Sequence, residues 1–111
     1  MKKLTVLLMA ALAVAGCSDS GDAPATVAEA KGPGQLVYES HCIVCHSNGI
    51  NGAPIPGKPR MWAARIEQGE AVLIEHAING YGLMPPKGGK TEMPDADVAA
   101  AVRYMVGQSL P

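Results

Sequence analysis

The pentapeptide CIVCH at residues 42–46 constrains this chain more strongly than any other feature of its sequence. Two cysteines separated by two residues and followed at once by a histidine are typical of the covalent attachment site of a c-type haem. Each thiol of such a site forms a thioether with one vinyl group of the haem, and the histidine ligates the iron. The motif therefore predicts one haem c, bound through Cys42 and Cys45, with His46 as an iron ligand. A chain with this cofactor is expected to fold around it, and the cofactor would supply the chemistry.

Three other structures would also use two cysteines at this spacing. A redox-active dithiol of the thioredoxin type is disfavoured because no strand–helix–strand pattern surrounds the motif. A zinc site would need a second pair of ligands at suitable spacing, whereas Cys17, His41 and His76 each stand alone. A structural disulfide is sterically awkward across two residues. Covalent haem is the favoured interpretation, with these three as alternatives.

The amino-terminal segment is expected to be an export signal rather than part of the fold. Residues 1–16 begin with Met-Lys-Lys and continue as an apolar run that is too short to span a bilayer permanently. The sequence VAGC at residues 14–17 resembles the lipobox of bacterial lipoproteins, which implies that Cys17 carries lipid and becomes the mature amino terminus. Ordinary secretion with an unmodified Cys17 is the alternative.

Residues 17–31 are predicted to be a flexible tether, and residues 32–111 to be a single small domain. The tether is rich in Ala, Ser, Asp and Gly and has little apolar surface to bury. With lipid on Cys17, it would hold the domain at a membrane on the periplasmic side of a bacterial cell envelope. The chain has a formal net charge of −1 and no basic cluster, so a nucleic-acid partner has no support.

The domain is predicted to be all-α, because no alternation of apolar and polar residues indicates a strand. The whole chain has no Phe, one Trp and three Tyr, so a bound haem would supply apolar bulk that the side chains lack. Loops rich in Gly and Pro are expected at residues 47–60 and 81–94. The spacing of apolar residues predicts helices over residues 34–45, 61–66, 70–79 and 95 to 105 or 106.

A second iron ligand, on the far face of the haem, decides between a carrier and a catalyst. Met84 is the favoured candidate because it lies in a Gly-rich loop and is followed by two prolines that stiffen it. Met93 is the rival, although its place before the last helix suits packing onto that helix. A histidine ligand and an open site are further alternatives. The other Met and His side chains are expected to have structural or surface positions: Met61 and Met105 packed in the core, His76 solvated on its helix, and His41 at the surface.

The nature of the second ligand sets the predicted function. Thioether sulfur favours ferrous iron and raises the reduction potential relative to a second imidazole. With both axial positions filled by the protein, the iron has no position for a substrate, so the sequence predicts an electron carrier and not an enzyme. An open or labile second position would instead suit a haem-based sensor or a small haem peroxidase.

Several short motifs are spread along residues 34–105, namely G-x-x-x-Y, C-x-x-C-H, G-A-P-x-x-G, W-x-x-R-x-x-x-G, L-x-x-x-A-I-x-G-x-x-x-M-P-P-K-G-G and A-V-x-Y-M. Together they resemble the motifs of the small bacterial class I c-type cytochromes, especially the cytochrome c-five branch. The resemblance implies an all-α cytochrome c fold of four or five short helices around one covalently bound haem. The chain is expected to be a monomer that exchanges electrons with other redox proteins.

The resemblance also implies roles for residues around the iron. Cys42 and Cys45 match the thioether attachments, His46 matches the proximal ligand, and Met84 matches the distal one. Pro54 matches a proline whose carbonyl oxygen accepts a hydrogen bond from the proximal imidazole. That bond would fix the ring and increase its basicity.

Further roles are implied at the haem edge and between the helices. Trp62 matches a residue that directs its indole N–H toward a haem propionate, and Arg65, one helical turn later, would offset the propionate charge. Gly34, Tyr38 and Tyr104 match the contact between the first and last helices, where the glycine allows close approach and the rings fill the gap.

Four basic residues fall in the two loops that are expected to border the haem. They are Lys58, Arg60, Lys87 and Lys90. A basic rim at these positions would steer an acidic partner toward the haem edge. The alternative is that these side chains only keep the protein soluble.

Overall fold

The computed structural model describes residues 30–111, which include the whole predicted domain and the end of the predicted tether. The predicted export signal at residues 1–16, Cys17 and the rest of the tether lie outside the described residues. No helix within residues 30–111 combines the length and apolar character needed to cross a membrane. Lys31, the last residue of the predicted tether, contacts the domain through an ion pair of 2.6 Å between its Nζ and Glu39 Oε2.

The described part of the chain is helical and contains no β-strand, as the sequence predicts. Its helices are α1 (Pro33–Val37), α2 (Ile43–His46), α3 (Pro59–Ile66), α4 (Glu70–Asn79) and α5 (Asp95–Ser109). Two short 3-10 turns, Ile50–Gly52 and Pro86–Gly89, interrupt loops that were expected to be irregular throughout.

A π-helical turn at Tyr38–Cys42 joins α1 to α2. The three pieces form one continuous helical stretch, so the helix predicted over residues 34–45 is confirmed with one more residue at each end. The π-helical turn was not predicted. Such turns are rare and are frequently found at functional sites, and this one ends at the first cysteine of the CIVCH motif.

The bounds of α4 agree with those predicted, because glycines at both ends stop it. Gly69 and Gly80 have φ values of 94° and 86°, in a region that residues with a side chain rarely adopt. A Cβ on Gly80 would also lie 2.9 Å from Pro86 N and 3.0 Å from Met84 O. The chain therefore turns sharply after α4 and packs back onto itself.

Two other helices are longer than predicted. Helix α3 begins at Pro59, two residues before the predicted start, because proline is well suited to the first turn of a helix. Helix α5 continues to Ser109, beyond the predicted end at Met105 or Val106. Its last turn is held by the buried Ser109 hydroxyl, which donates to Met105 O at 2.7 Å and accepts from Gly57 N at 3.1 Å.

The first helix packs against the last as expected. A Cβ on Gly34 would lie 2.8 Å from the carbonyl carbon of Ala100, so only glycine lets the two backbones approach this closely. Beside this contact the rings of Tyr38 and Tyr104 meet with centroids 5.3 Å apart and planes at 43°. This tilted arrangement is one that aromatic pairs prefer.

Two small apolar clusters form the rest of the core. The first comprises Leu73, Ala77, Val98 and Val102 of α4 and α5, with Met84 and Met93 packed against it. The second comprises Tyr38, Trp62 and Met105, with Met61 packed against it. The predicted core positions of Met61 and Met105 are therefore confirmed. Both clusters are thin, and the space between them is a cavity.

Candidate haem site

A cavity of about 650 Å³ lies between the helices, within the range of volumes typical of cofactor and ligand sites. Its walls come from the π-helical turn, α2, α3, α4, α5 and the two long loops. All of the predicted site residues line it: Cys42, Cys45, His46, Pro54, Trp62, Arg65 and Met84. The fold therefore brings together residues that lie up to 42 positions apart in the sequence.

His46 is held in the wall of this cavity by one hydrogen bond. Its side chain is buried, and Nδ1 lies 2.9 Å from the carbonyl oxygen of Pro54. Because a carbonyl only accepts, Nδ1 carries the proton in this bond and Nε2 of the neutral ring keeps its lone pair. The hydrogen bond that the resemblance implied is present. It fixes both the orientation of the ring and the nitrogen that can bind a metal.

The two cysteines lie on the same helical stretch as His46 and have different exposures. Cys42 ends the π-helical turn and is half-buried, whereas Cys45 is exposed, and neither forms a disulfide. Burial raises the pKa of the Cys42 thiol. Within residues 30–111 no group of three or more His, Cys, Asp or Glu side chains is placed to hold a metal ion, so the zinc alternative has no ligand set there.

Met84 and Met93 both line the cavity, and both pack against the cluster of α4 and α5. Met84 closes a two-residue turn in which Met84 N donates to Tyr81 O at 2.9 Å and Tyr81 N donates to Met84 O at 3.0 Å. Met93 directly precedes Pro94 and α5, where an apolar residue packs onto the first turns of a helix. The preference for Met84 over Met93 stays a prediction.

The donor atoms in the cavity fit a haem c. Two thiols at the spacing of the attachment motif share a wall with an imidazole whose Nε2 is available for iron. Thioether sulfurs, which are soft ligands that suit haem iron, lie in the same cavity. The surrounding side chains are largely apolar, as the porphyrin ring requires.

Comparison with known proteins identifies the family. The family model described as "Cytochrome C oxidase, cbb3-type, subunit III" matches residues 29–105. Cytochrome c-555 of Chlorobaculum tepidum is 43% identical over 107 residues, which cover 93% of this chain and 92% of the relative. Cytochrome c5 of Ectopseudomonas mendocina is 33% identical over 64% of this chain and 84% of its own length.

Two solved structures have the same fold. A chain in the crystal structure of an electron transfer complex of nitrite reductase with cytochrome c has a TM-score of 0.68 and 36% identity, covering 72% of this chain and 98% of that chain. Reduced cytochrome c551 of Ectothiorhodospira halophila has a TM-score of 0.58 and 31% identity, covering 69% of this chain and 99% of that chain.

The chain belongs to the small class I c-type cytochromes. It is an electron carrier and not an enzyme, as its sequence predicts. The cytochrome carries one covalently bound haem c, through Cys42 and Cys45. When bound, the haem supplies reversible one-electron chemistry between Fe(III) and Fe(II).

Trp62 of the cytochrome has a different hydrogen-bond partner from the one expected. Its side chain is 3% exposed and lines the cavity, but the indole N–H donates to the carbonyl oxygen of Ile55 at 2.9 Å. A loop carbonyl therefore accepts this proton in the structure, and the expected role of the indole N–H beside a haem propionate stays a prediction. By this bond Trp62 connects α3 to the residue that follows Pro54, and so supports the carbonyl that orients His46.

Arg65 is half-buried at the cavity wall, and its guanidinium donates to the carbonyl oxygen of Met61. The three ion pairs found within residues 30–111 do not include it. A partly buried positive charge without a carboxylate partner suits a nearby anion. This position is consistent with the expected role beside a propionate, which stays a prediction.

His76 is not the solvated helix residue that the sequence predicted. It is half-buried, lines the cavity, and stacks on Tyr81 with ring centroids 4.0 Å apart and planes at 13°. The position of Tyr81 at the cavity was not predicted, although an aromatic residue between two glycines and close to Met84 is a signal for it. The apolar stripe of α4 does not report the loop that folds over it.

One of the four residues of the predicted basic rim is paired within the fold. Lys87 has φ 52°, which turns it toward α5, where its Nζ lies 2.7 Å from Asp95 Oδ1 and donates to Met93 O at 2.7 Å. Its charge is thus paired within the fold, which reduces what it can add to a basic rim. Lys58, Arg60 and Lys90 are exposed, and their role in steering a partner stays a prediction.

Proposed function

We propose that this cytochrome holds its iron between His46 and Met84 and passes single electrons between redox proteins without binding a substrate. The observation that carries the proposal is the hydrogen bond from His46 Nδ1 to Pro54 O. It leaves Nε2 as the ligating atom in the cavity that Met84 also lines. Met84 lies in a turn closed by two backbone hydrogen bonds, which limits the positions that its sulfur can take.

A His/Met ligand pair would suit the carrier function in two ways. The soft thioether favours the ferrous state, so the reduction potential is higher than with two imidazoles. Both ligands come from the protein, so the coordination is the same before and after transfer.

The test compares Met84→Leu with Met93→Leu in the haem-loaded protein. The ferric wild type is expected to show the weak near-infrared charge-transfer band of a thioether bound to iron. Met84→Leu should abolish the band and allow the reduced protein to bind carbon monoxide, whereas Met93→Leu should retain it. Loss of the band only in Met93→Leu would show that the ligand is misassigned. Carbon monoxide binding by the reduced wild type would favour a sensor or peroxidase with a labile site.

We further propose that the cytochrome is exported, cleaved before Cys17 and anchored by lipid at the periplasmic side of the cell envelope, where it acts as a monomer. The support is the charged start, the short apolar run and the VAGC sequence, followed by a segment with little apolar surface. Two or more acyl chains would anchor it stably, whereas one would not.

Metabolic labelling with a fatty-acid analogue tests the anchor. The wild type should take up label and pellet with membranes, Cys17→Ala should take up none, and Ser18→Ala should behave like the wild type. An unlabelled wild-type protein whose mature amino terminus lies elsewhere would contradict the proposal. Sedimentation of the detergent-solubilised protein checks the monomeric state.

A further inference from the structure

An exposed aromatic ring at the edge of the cavity is held in place by a second ring. Tyr81 is 63% exposed, yet it stacks almost parallel on His76, with ring centroids 4.0 Å apart. His76 lies in the last turn of α4, and Tyr81 is the second residue after that helix ends. Both rings line the cavity. The stack therefore connects the end of α4 to the beginning of the loop that carries Met84.

Backbone hydrogen bonds couple the position of Tyr81 to that of Met84. Tyr81 and Met84 exchange two hydrogen bonds of 2.9 and 3.0 Å, which close a turn of only two intervening residues, Gly82 and Leu83. Because the turn is this short, displacement of one of its ends moves the other. The orientation of Tyr81 relative to α4 thus restricts the orientation of Met84.

Polar side-chain contacts do not restrain this turn in the described part of the chain. Tyr81, Gly82 and Leu83 are all exposed, and within residues 30–111 no side-chain hydrogen bond or ion pair involves any residue of the turn. Besides the packing of Met84 itself against the α4 and α5 cluster, the ring stack is a direct side-chain link between the turn and α4.

We propose that His76 and Tyr81 form a clasp that holds the turn at residues 81–84 against α4 and so keeps the Met84 sulfur on the iron. His76 is in this account a positioning residue that acts through Tyr81 and the turn. The inference rests on the proposed ligation by Met84. According to this inference, the clasp is what makes the Met84–iron bond resist replacement by an outside ligand.

The test titrates the ferric, haem-loaded protein with imidazole and follows loss of the thioether charge-transfer band. His76→Ala and Tyr81→Ala should each bind imidazole about two- to tenfold more tightly than the wild type, because a stacked aromatic pair contributes stability of that order. His76→Phe keeps a flat ring and should restore resistance to near the wild-type value. Glu75→Ala, an exposed neighbour on the same helix, is the matched control and should leave the affinity unchanged.

A double-mutant cycle shows whether the two rings act together or whether each substitution has its own independent effect. If the rings act together, the His76→Ala/Tyr81→Ala protein should gain no more affinity for imidazole than either single variant. Additive gains, or wild-type affinity in both single variants, would overturn the clasp. Tighter imidazole binding by His76→Phe equal to that of His76→Ala would also overturn it, because the stacked ring would then be irrelevant.

If Met84 is not the iron ligand, the variants are expected to give a different pattern of results. If Met84→Leu keeps the wild-type band, Met84 is not the ligand, and the clasp has no iron bond to protect whatever the His76 variants do. If Met84→Leu loses the band while His76→Ala behaves like the wild type, the ligation stands and only the clasp is wrong. A wild type that lacks the thioether band, and gains it in His76→Ala, would identify His76 as an iron ligand and overturn both.

Discussion

The hydrogen atom that serves as the side chain of Gly34 determines how closely the first and last helices approach. Gly34→Ala would place a methyl group against the Ala100 carbonyl and 3.2 Å from Tyr104 Cβ. Since backbone must move to admit it, we expect the free energy of unfolding to fall by about 1–3 kcal/mol in urea titrations of the haem-loaded protein.

Gly107→Ala is the control for this substitution. It lies in α5 with open space where its Cβ would be, so it should be neutral or stabilise by up to about 1 kcal/mol, the usual helix propensity difference. Equal stability of the two variants would mean that the close approach at Gly34 is not needed.

The resemblance to the cytochrome family implied two single-residue contacts that the structure contains, the hydrogen bond between His46 and Pro54 and the close approach at Gly34. The bond from Trp62 to Ile55 and the stack of His76 on Tyr81 were not predicted, because each depends on the path of a loop. A loop path is set by contacts distant in sequence, which periodicity does not report.

At the scale of elements, the Ser109 hydroxyl joins the end of α5 to the loop that follows the attachment motif. It accepts from Gly57 N at 3.1 Å, across 52 residues of sequence, and is buried. Ser109→Ala would leave that N–H without its acceptor, so we expect a loss of about 1–2 kcal/mol of unfolding free energy.

Ser40→Ala is the matched control for Ser109→Ala. The Ser40 hydroxyl also donates to a carbonyl of its own helix, Leu36 O at 2.7 Å, but it is exposed. Water can replace that bond, so the change should stay within about 0.5 kcal/mol. A similar loss in both variants, measured by urea unfolding, would show that the long-range contact is not important.

The end of a helix could be predicted where the residues that stop it lie next to it in the sequence. Helix α4 was bounded correctly because glycines with positive φ end it on both sides. Helix α5 was predicted too short because its last turn depends on Ser109 meeting Gly57. The π-helical turn at Tyr38–Cys42 could not be predicted, because one extra residue in a turn hardly changes the pattern of apolar residues.

At the scale of the whole molecule, the cavity limits the stability that the polypeptide can have without haem. A void of about 650 Å³, at the cost found for engineered cavities, corresponds to destabilisation on the order of 15 kcal/mol. That value is an upper bound for a cavity open at its edge, yet it reaches the upper end of the range of about 5–15 kcal/mol by which native proteins are stable. Composition anticipated this, since a small domain with few aromatic residues needs bulk from elsewhere.

We therefore expect the Cys42→Ala/Cys45→Ala protein, which cannot attach haem covalently, to lose cooperative folding. Far-ultraviolet circular dichroism should report residual helix, while near-ultraviolet signals and a sharp urea transition should be absent. The haem-loaded wild type is the reference. A cooperative transition at the wild-type midpoint would mean that the chain is stable without its cofactor.

The π-helical turn between Tyr38 and Cys42 has a consequence for any change in chain length there. An α-helix rotates by about 100° for each residue, so deleting one residue from this turn would restore regular backbone hydrogen bonding and swing everything beyond it by that angle. Gly34 would still meet α5, but the attachment motif would be misaligned with the Pro54 carbonyl. The deletion would make the local geometry of this segment more regular, yet we expect the protein to contain no haem. The extra residue of the π-helical turn is what orients the attachment motif toward the cavity.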